Sequence, residues 1–250
     1  MNKLANKIAV VTGASKGIGA AIARQFAAEG ATVVVNYATS REGADKVVAD
    51  IQNAGGKAVA IGADIGVEAD VRKLFQAVQE LYGRVDLLVN NAGIYTFEPL
   101  AAITPEGVMA IYRTNVLGTL LASREAVALM PASGGAIVNI GSVASGMAPP
   151  AAAAYASSKG AIDVITKSLA KELGPRAIRV NAISPGLTLT EGLHSAGIPD
   201  SDFERQMIAL TPLGRAAQPV DIALPAVFLA SDDARFVTGE TLYVGGGAGM

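Results

Sequence analysis

Short apolar runs recur along the chain, and segments with a helical pattern separate them. The runs Ile8–Val11 and Val33–Val35 are apolar at every position rather than at alternate positions. Strands have this composition when both of their faces are buried, as in a parallel sheet covered by helices on two sides. The segments between them place apolar residues three and four positions apart, which is the spacing of one helix face. The pattern therefore predicts an α/β fold with a doubly wound parallel sheet.

This alternation predicts about seven strands and six long helices. The strands are Lys7–Thr12, Thr32–Asn36, Lys57–Gly62, Leu87–Asn90, Ala136–Gly141, Arg179–Ala182 and Thr241–Val244. The helices are Ile18–Glu29, Glu42–Ala54, Glu68–Leu81, Pro105–Met130, Ala156–Leu173 and Pro219–Ala230. Ligands of such sheets bind at the carboxyl ends of the strands. The long connection 187–213 contains only one short helical pattern, Asp202–Leu210, and we expect it to form a lid.

Composition excludes several classes of function. The chain has 250 residues, is 51% hydrophobic and has no cysteine, so it can bury a core without disulfides, and we interpret residues 1–250 as a single domain. A formal charge of −2 gives no field that would attract nucleic acid or an anionic membrane. We find neither a signal peptide nor an apolar run of about 18 residues, and we expect a cytoplasmic protein. With His194 as the one histidine, we expect neither a metal site nor a Ser-His-Asp triad.

A glycine-rich segment follows the first predicted strand and leads into the first helix. Its glycines, spaced G-x-x-x-G-x-G, allow a tight turn and a close approach of the backbone to a pyrophosphate. The free N–H groups of the helix N-terminus attract the same anion, so we expect a Rossmann-like dinucleotide site rather than an ordinary tight turn. The predicted contacts are Gly13, Ser15, Lys16, Gly17, Ile18 and Gly19.

The end of the second strand indicates which dinucleotide binds. A carboxylate there would bind the ribose hydroxyls of NAD and repel the 2′-phosphate of NADP, but none of residues 36–41 is acidic. Lys16 and Arg41 can supply charge to that phosphate unless they are only solvated surface cations. We therefore expect NADP(H). The predicted contacts at this end are Asn36, Tyr37, Ser40 and Arg41.

Two further strand ends carry polar or small residues. Asp64 follows the third strand and can accept a hydrogen bond from the adenine amino group, with Ile65 packed on the ring. Small and polar residues follow the fourth strand, where a dinucleotide would pass close to the backbone. These residues are Asn91, Ala92 and Gly93.

A serine, a tyrosine and a lysine indicate a reacting centre. Ser142 ends the fifth predicted strand, and Tyr155 and Lys159 lie four residues apart on the next helix, so they share a face. A phenol with a pKa near about 10 is a poor acid–base group at neutral pH, and we expect the Lys159 ammonium to lower the pKa of Tyr155. Ser142 can bond a substrate oxygen within reach of the Tyr155 hydroxyl. A packing tyrosine and a surface lysine are the structural alternative.

The order of these motifs resembles the short-chain dehydrogenase/reductase family. The resemblance rests on Thr12–Gly19, Asn90–Gly93, Asn115, Ser142, Tyr155 with Lys159, and Asn181–Gly186, and is close to the bacterial 3-oxoacyl-acyl-carrier-protein reductase and glucose dehydrogenase branch. It implies a catalytic tetrad of Asn115, Ser142, Tyr155 and Lys159, in which Asn115 holds a water that links Lys159 to solvent and Lys159 bonds the nicotinamide ribose. It also implies nicotinamide contacts from Pro185, Gly186, Thr188 and Thr190.

The same resemblance implies a homotetramer in which Pro105–Met130 and Ala156–Leu173 pack against their symmetry mates. Small residues would then allow the helices of two protomers to approach closely. These residues are Gly118, Ala122, Ala126, Ala161 and Ala170.

The expected activity is NADPH-dependent, reversible reduction of small hydrophobic ketones or other carbonyls. The residues expected around the pocket are mainly apolar: Tyr95, Phe97, Ala144, Ser145, Met147, Pro149, Leu189, Leu193, Phe203 and Met207. Met130–Gly135 has no cation to dock an acidic carrier protein. A 3-oxoacyl-carrier reductase and a sugar dehydrogenase remain the main alternatives, and a non-catalytic nucleotide sensor is a remote one.

Overall fold

Seven parallel strands form one sheet in the computed structural model, which describes residues 2–195 and 201–248 except for the side chains of His194 and Ser195. The strands are β1 Ile8–Val11, β2 Thr32–Tyr37, β3 Lys57–Gly62, β4 Leu87–Asn90, β5 Gly135–Ile140, β6 Ile178–Pro185 and β7 Thr241–Val244. Their order is β3-β2-β1-β4-β5-β6-β7. The predicted Rossmann-like sheet is confirmed.

Helices cover both faces of this sheet. Their bounds are α1 Gly17–Ala28, α2 Arg41–Asn53, α3 Glu68–Tyr82, α4 Pro105–Tyr112, α5 Gly118–Leu129, α6 Ala144–Met147, α7 Ala153–Leu173, α8 Glu191–Ser195, α9 Asp202–Ala209 and α10 Pro219–Ala230. Apolar residues of α1, α2 and α10 form one buried cluster with the sheet, and those of α3, α5 and α7 form another. Within β1, Ala9 and Val11 belong to the first cluster and Val10 to the second, which explains why the run is apolar throughout.

The strand order reverses between β1 and β4, so the carboxyl ends of these two strands flank a crevice. β1 pairs with β2 on one side and with β4 on the other. The connections that leave β1 and β4 diverge at this point, which is where α/β sheets bind ligands. The glycine-rich segment and Asn91–Gly93 both begin at this crevice.

The predicted helix Pro105–Met130 contains an unpredicted irregularity. Residues Arg113–Leu117 form a π-helical turn between α4 and α5, with Asn115 at its centre. A π turn inserts one extra residue into a helix and often occurs at functional sites. The prediction of one continuous helix missed this turn.

Other boundaries differ from the predictions as well. β6 continues to Pro185, α7 begins at Ala153, and the short helices α6 and α8 were not predicted. Residues 196–200 of the predicted lid lie outside the described residues. The expected role of most small residues in subunit contacts is wrong, because they pack within the protomer: Gly118 against Ile65, and Ala122, Ala126 and Ala170 in the core.

Two classes of feature are absent from the described part of the chain. No helix there combines the length and apolar character that crossing a bilayer requires. Within the same residues, no three His, Cys, Asp or Glu side chains group closely enough to hold a metal ion.

Candidate active site

The glycine-rich segment packs directly on the end of β4. A Cβ atom at Gly13, where φ is +61°, would lie 2.8 Å from the Cα atom of Ala92. A Cβ atom at Gly19 would overlap the Asn91 amide nitrogen and lie 2.7 Å from the Gly13 carbonyl oxygen. Side chains are therefore excluded at both glycines, because the turn packs directly on the residues that follow β4.

Asn91 and Thr12 hold this arrangement together. The Asn91 side-chain amide donates to the carbonyl oxygens of Thr12 and Gly13 at 2.9 and 3.0 Å. The buried Thr12 hydroxyl accepts from the backbone N–H groups of Asn91 and Ala92 at 3.0 and 3.1 Å. We did not single out Thr12 as a site residue. A threonine that ends a fully apolar strand is the signal that could have identified it.

The residues predicted to bind the 2′-phosphate meet at one corner. Lys16 and Arg41 are both exposed, at the starts of α1 and α2. A Cβ atom at Gly43 would lie 2.7 Å from the Ser40 hydroxyl oxygen and 2.8 Å from the Ser15 carbonyl oxygen, so the two helix starts are adjacent. The structure thus brings Ser15, Lys16, Ser40 and Arg41 into one corner of the surface, with Arg41 also paired to Asp45 at 3.5 Å.

Two predicted cofactor contacts lie inside the protein instead. The Asn36 side chain is buried, accepts from the Gly13 N–H and donates to the carbonyl oxygens of Ile61 and Ala63, so it shapes the crevice without lining it. Ile65 is buried in the core against Gly118, so the prediction that it packs on the adenine is wrong. Strand position alone does not distinguish an inward side chain from one at the crevice.

Asp64 and Tyr37 border the crevice near the end of β3. One Asp64 oxygen accepts from the Gly66 N–H at 2.8 Å, which fixes the turn after the strand. The partly buried Tyr37 ring lies over Gly62, where a Cβ atom would come within 3.1 Å of it. Both residues are at the predicted adenosine end.

Lys159 and Asn115 converge on Gly93. The buried Lys159 ammonium donates to the Ile140 carbonyl oxygen, at the end of β5, over 2.8 Å. A Cβ atom at Gly93 would lie 3.5 Å from the Lys159 nitrogen and 3.3 Å from the Asn115 Oδ1 atom. The Asn115 amide also donates to the Ser158 hydroxyl at 3.0 Å, a contact that the sequence analysis missed because it joins two helices.

Ser142 and Tyr155 meet above these two residues. The Ser142 Oγ atom accepts from the Ala144 N–H at 3.1 Å, which orients the hydroxyl at the start of α6. The Ser142 hydroxyl lies near enough to the Tyr155 phenol to lower its pKa. The Lys159 nitrogen lies 5.9 Å from the centroid of the Tyr155 ring. The structure therefore unites the serine, the tyrosine and the lysine that were predicted to react.

The predicted direction of the Tyr155 shift is wrong. Burial raises the pKa of the Tyr155 phenol, although the nearby Ser142 hydroxyl opposes this change. Burial lowers the pKa of Lys159 to about 8, against a smaller opposing effect of the Asp163 carboxylate. Loss of water is thus the main cause of both pKa shifts. At neutral pH the phenol keeps its proton, and the ammonium keeps its charge.

The chain that follows β6 passes over the glycine-rich segment. A Cβ atom at Gly17 would lie 3.2 Å from the Thr190 methyl carbon, and the Glu191 carboxylate accepts from the Gly17 N–H at 2.8 Å. Thr188 is buried and donates from its hydroxyl to the Gly186 carbonyl oxygen. This path from Pro185 onward therefore reaches the start of α1. The nicotinamide contacts that the resemblance implied stay predictions.

Of the residues expected around the substrate, two aromatic residues lie beside Tyr155, and the others stay predictions. Tyr95 and Phe97 contact the Tyr155 ring. Ala144, Ser145 and Met147 belong to α6, and Phe203 and Met207 belong to α9. The side chain of His194 lies outside the described residues.

Comparisons with known proteins match this chain along almost its whole length. Residues 13–249 match the family described as enoyl-(acyl carrier protein) reductase. An uncharacterized oxidoreductase of Methylorubrum extorquens is 52% identical over 99% of both chains. A versicolorin reductase of Emericella nidulans is 40% identical over 98% of this chain and 97% of its own. The crystal structure of an angucycline C-6 ketoreductase with bound NADP has a TM-score of 0.93 and 36% identity, over 99% of this chain and 97% of its own.

The matched range, residues 13–249, spans the glycine-rich segment and Ser142, Tyr155 and Lys159. Identity above about one third across the whole length, together with the same fold, leaves little room for a different ancestry. The chain belongs to the short-chain dehydrogenase/reductase family of oxidoreductases.

Proposed function

We propose that this protein is an NADPH-dependent reductase of small hydrophobic ketones, which also oxidises the corresponding alcohols. The observation that carries the proposal is the meeting of Ser142, Tyr155 and Lys159 at the carboxyl end of β5, beside the glycine-rich crevice. Reduction of a carbonyl needs a group that gives a proton to the oxygen, and a phenol whose pKa is raised holds that proton at neutral pH.

The residues that would hold the cofactor fit NADP(H). The turn at the start of α1, packed too tightly against Ala92 and Asn91 for a Cβ atom at Gly13 or Gly19, suits the close backbone approach of a pyrophosphate. Lys16, Ser40 and Arg41 suit the 2′-phosphate, and residues 36–41 contain no carboxylate to repel it. The NADP bound to the similar angucycline ketoreductase supports the same assignment.

The chemistry divides between the cofactor and the side chains. When bound, NADPH supplies a hydride to the carbonyl carbon. Ser142 donates a hydrogen bond to the substrate oxygen and holds it near Tyr155. The Tyr155 hydroxyl gives its proton to that oxygen as negative charge develops, so the alcohol leaves neutral. Lys159 stabilises the phenolate that remains, and Asn115 belongs to the path by which the proton is restored.

The apolar surroundings favour a hydrophobic ketone over a sugar. Tyr95 and Phe97 contribute exposed apolar surface beside the Tyr155 ring. The versicolorin and angucycline reductases among the similar proteins support the reductive direction. The family description favours one second candidate, a carrier-linked acyl substrate, although the segment before β5 has no cation for docking a carrier.

Replacing Tyr155 by Phe tests the proposal directly. We expect the variant to lose turnover of every ketone, by at least about 10³-fold, because the proton donor is gone. NADPH binding should stay nearly unchanged, and fluorescence of the bound nicotinamide measures it. Absorbance decay of NADPH with a panel of ketones, glucose-derived carbonyls and carrier-loaded acetoacetate measures turnover. Undiminished turnover by the variant would refute the assignment, and faster reduction of the carrier substrate would favour the second candidate.

We further propose a homotetramer assembled through the long helices. Met109, Leu117 and Leu120 lie exposed on the outer face of Pro105–Leu129, and Val164 is exposed on α7. Exposed apolar side chains that follow one helical face are typical of subunit interfaces. A cytoplasmic location and a single domain stay predictions.

A further inference from the structure

Two aromatic rings border the ring of Tyr155. The ring centroids of Tyr95 and Phe97 lie 6.0 and 5.9 Å from the Tyr155 centroid, at interplanar angles of 65° and 72°. The two rings lie 5.7 Å from each other. Aromatic pairs favour such edge-to-face contacts, in which the positive edge of one ring meets the negative face of the next. The rings of Tyr95, Phe97 and Tyr155 therefore form one aromatic cluster around the proposed proton donor.

The outer rings of the aromatic cluster are open to solvent. Tyr95 is 40% exposed and Phe97 is 51% exposed. Aromatic residues make up only 5% of the chain, so three rings in mutual contact at the reacting centre are a local concentration. Exposed apolar surface beside a reacting group is surface that a bound ligand covers. The aromatic cluster is thus a candidate contact for the substrate.

The loop that carries these rings is fixed on both sides. The Asn115 side chain bonds both the N–H and the carbonyl oxygen of Ile94, each at 2.9 Å. The Glu98 N–H donates to the Ala151 carbonyl oxygen at 2.7 Å. Tyr95 and Phe97 lie between these two anchors. Their rings are therefore held near Tyr155 before a ligand binds, which reduces the entropy lost on binding.

Tyr95 also reaches toward the lid. A Cβ atom at Gly192, in α8, would lie 3.9 Å from the Tyr95 hydroxyl oxygen. Tyr95 thus lies between Tyr155 and the first helix of the lid. A ligand that binds at Tyr155 and Ser142 and extends toward this lid would contact the aromatic cluster.

We infer that Tyr95 and Phe97 select ketones whose carbonyl carbon is attached to a flat aromatic ring. The inference rests on the proposed ketone reduction and adds the class of substrate. The substrate ring packs against the aromatic cluster while its carbonyl oxygen lies at Ser142 and Tyr155. A flat ring gains aromatic contacts there, whereas a puckered cyclohexyl ring of similar size gains apolar burial alone.

A matched pair of ketones tests this selectivity. Acetophenone and cyclohexyl methyl ketone differ in the ring and share the reacting carbonyl and methyl group. The ratio of their kcat/KM values is compared between the natural chain and the Phe97→Leu variant, so that the intrinsic reactivities of the two ketones cancel. We expect the ratio to fall about three- to tenfold in Phe97→Leu, the size of one lost aromatic contact.

Control variants test whether the aromatic rings of Phe97 and Tyr95 themselves determine the ratio of kcat/KM values. Phe236 is fully exposed outside the aromatic cluster, and Phe236→Leu should leave the ratio unchanged. Tyr95→Phe keeps the ring and should keep the ratio, whereas Tyr95→Leu should lower it. Circular dichroism and melting temperature check that each variant folds.

Two outcomes would overturn the inference, and they differ in what else they affect. An unchanged ratio in both Phe97→Leu and Tyr95→Leu would show that the rings do not select the substrate, while ketone reduction itself would stand. Failure of the natural chain to reduce either ketone with NADPH would instead remove the proposed function, and the inference with it.

Discussion

At the scale of single residues, Lys159 shows how a reacting group lowers the stability of the fold. Burial lowers the pKa of its ammonium from 10.5 to about 8. A shift of this size corresponds to roughly 3 kcal/mol of destabilisation at neutral pH, because each unit is worth about 1.4 kcal/mol. The ammonium recovers part of this cost through its bond to the Ile140 carbonyl oxygen.

Replacing Lys159 by Met should therefore abolish turnover and raise stability. We expect the free energy of unfolding at pH 7 to rise by about 1–2 kcal/mol, less than the full charge penalty because the Ile140 carbonyl loses its donor. Urea unfolding at several pH values measures this free energy of unfolding. Between pH 8 and 10.5 the stability advantage of the variant should shrink. In this range the folded natural chain has released the Lys159 proton that the unfolded chain still holds. A variant less stable than the natural chain at pH 7 would contradict this account.

The same group sets a pH dependence for ketone reduction. Burial raises the pKa of Tyr155, so the phenol stays protonated through the neutral range, whereas Lys159 loses its charge near pH 8. We expect kcat/KM to stay level below about pH 8 and to fall above it as the ammonium that stabilises the phenolate is lost. NADPH binding measured over the same range separates binding from turnover. A level profile up to pH 9.5 would show that the Lys159 charge is not required.

At the scale of elements, the packing of α1 against the end of β4 depends on glycine. A Cβ atom at Gly19 would overlap the Asn91 amide, so Gly19→Ala must displace the turn or the asparagine. We expect the Kd for NADPH to rise at least about tenfold, because the N–H groups that face the pyrophosphate move with the turn. Isothermal titration with NADPH measures this change.

Gly174→Ala is the matched control for that substitution. Gly174 has helical dihedral angles and no atom within 4 Å of a Cβ position, so the same added methyl group meets open space. Its affinity for NADPH should equal that of the natural chain. Equal affinities for NADPH in the natural chain, Gly19→Ala and Gly174→Ala would contradict the role assigned to Gly19.

At the scale of the whole molecule, the exposed face of Pro105–Leu129 determines the proposed assembly. Leu117 and Leu120 are 46% and 40% exposed there. The double substitution Leu117→Glu and Leu120→Glu places charges on this face, and we expect the tetramer to dissociate into smaller species. Size-exclusion chromatography with light scattering measures the mass. Leu81→Glu, on an exposed residue at the end of α3, should leave the mass unchanged. A natural chain of monomer mass would refute the tetramer.

The sequence by itself determined the layers of the fold and the chemistry of the reacting centre. The fully apolar runs in β1 and β2 require burial on two faces, and the separation of Tyr155 and Lys159 by four residues places them on one helix face. These features follow from local periodicity, which is a property of the covalent chain. The glycine segment was also predicted from local sequence, because it lies directly between a strand and a helix.

Only the tertiary structure decided which of these groups face the crevice and how they titrate. Asn36 and Ile65 lie inside because of packing between distant segments, which strand position does not encode. The pKa of Tyr155 rises because burial removes water, and burial is known only once β5, α6 and α7 have come together. The contact of Tyr95 and Phe97 with Tyr155 joins residues about 60 positions apart. Such effects depend on three-dimensional proximity, so the order of residues alone does not reveal them.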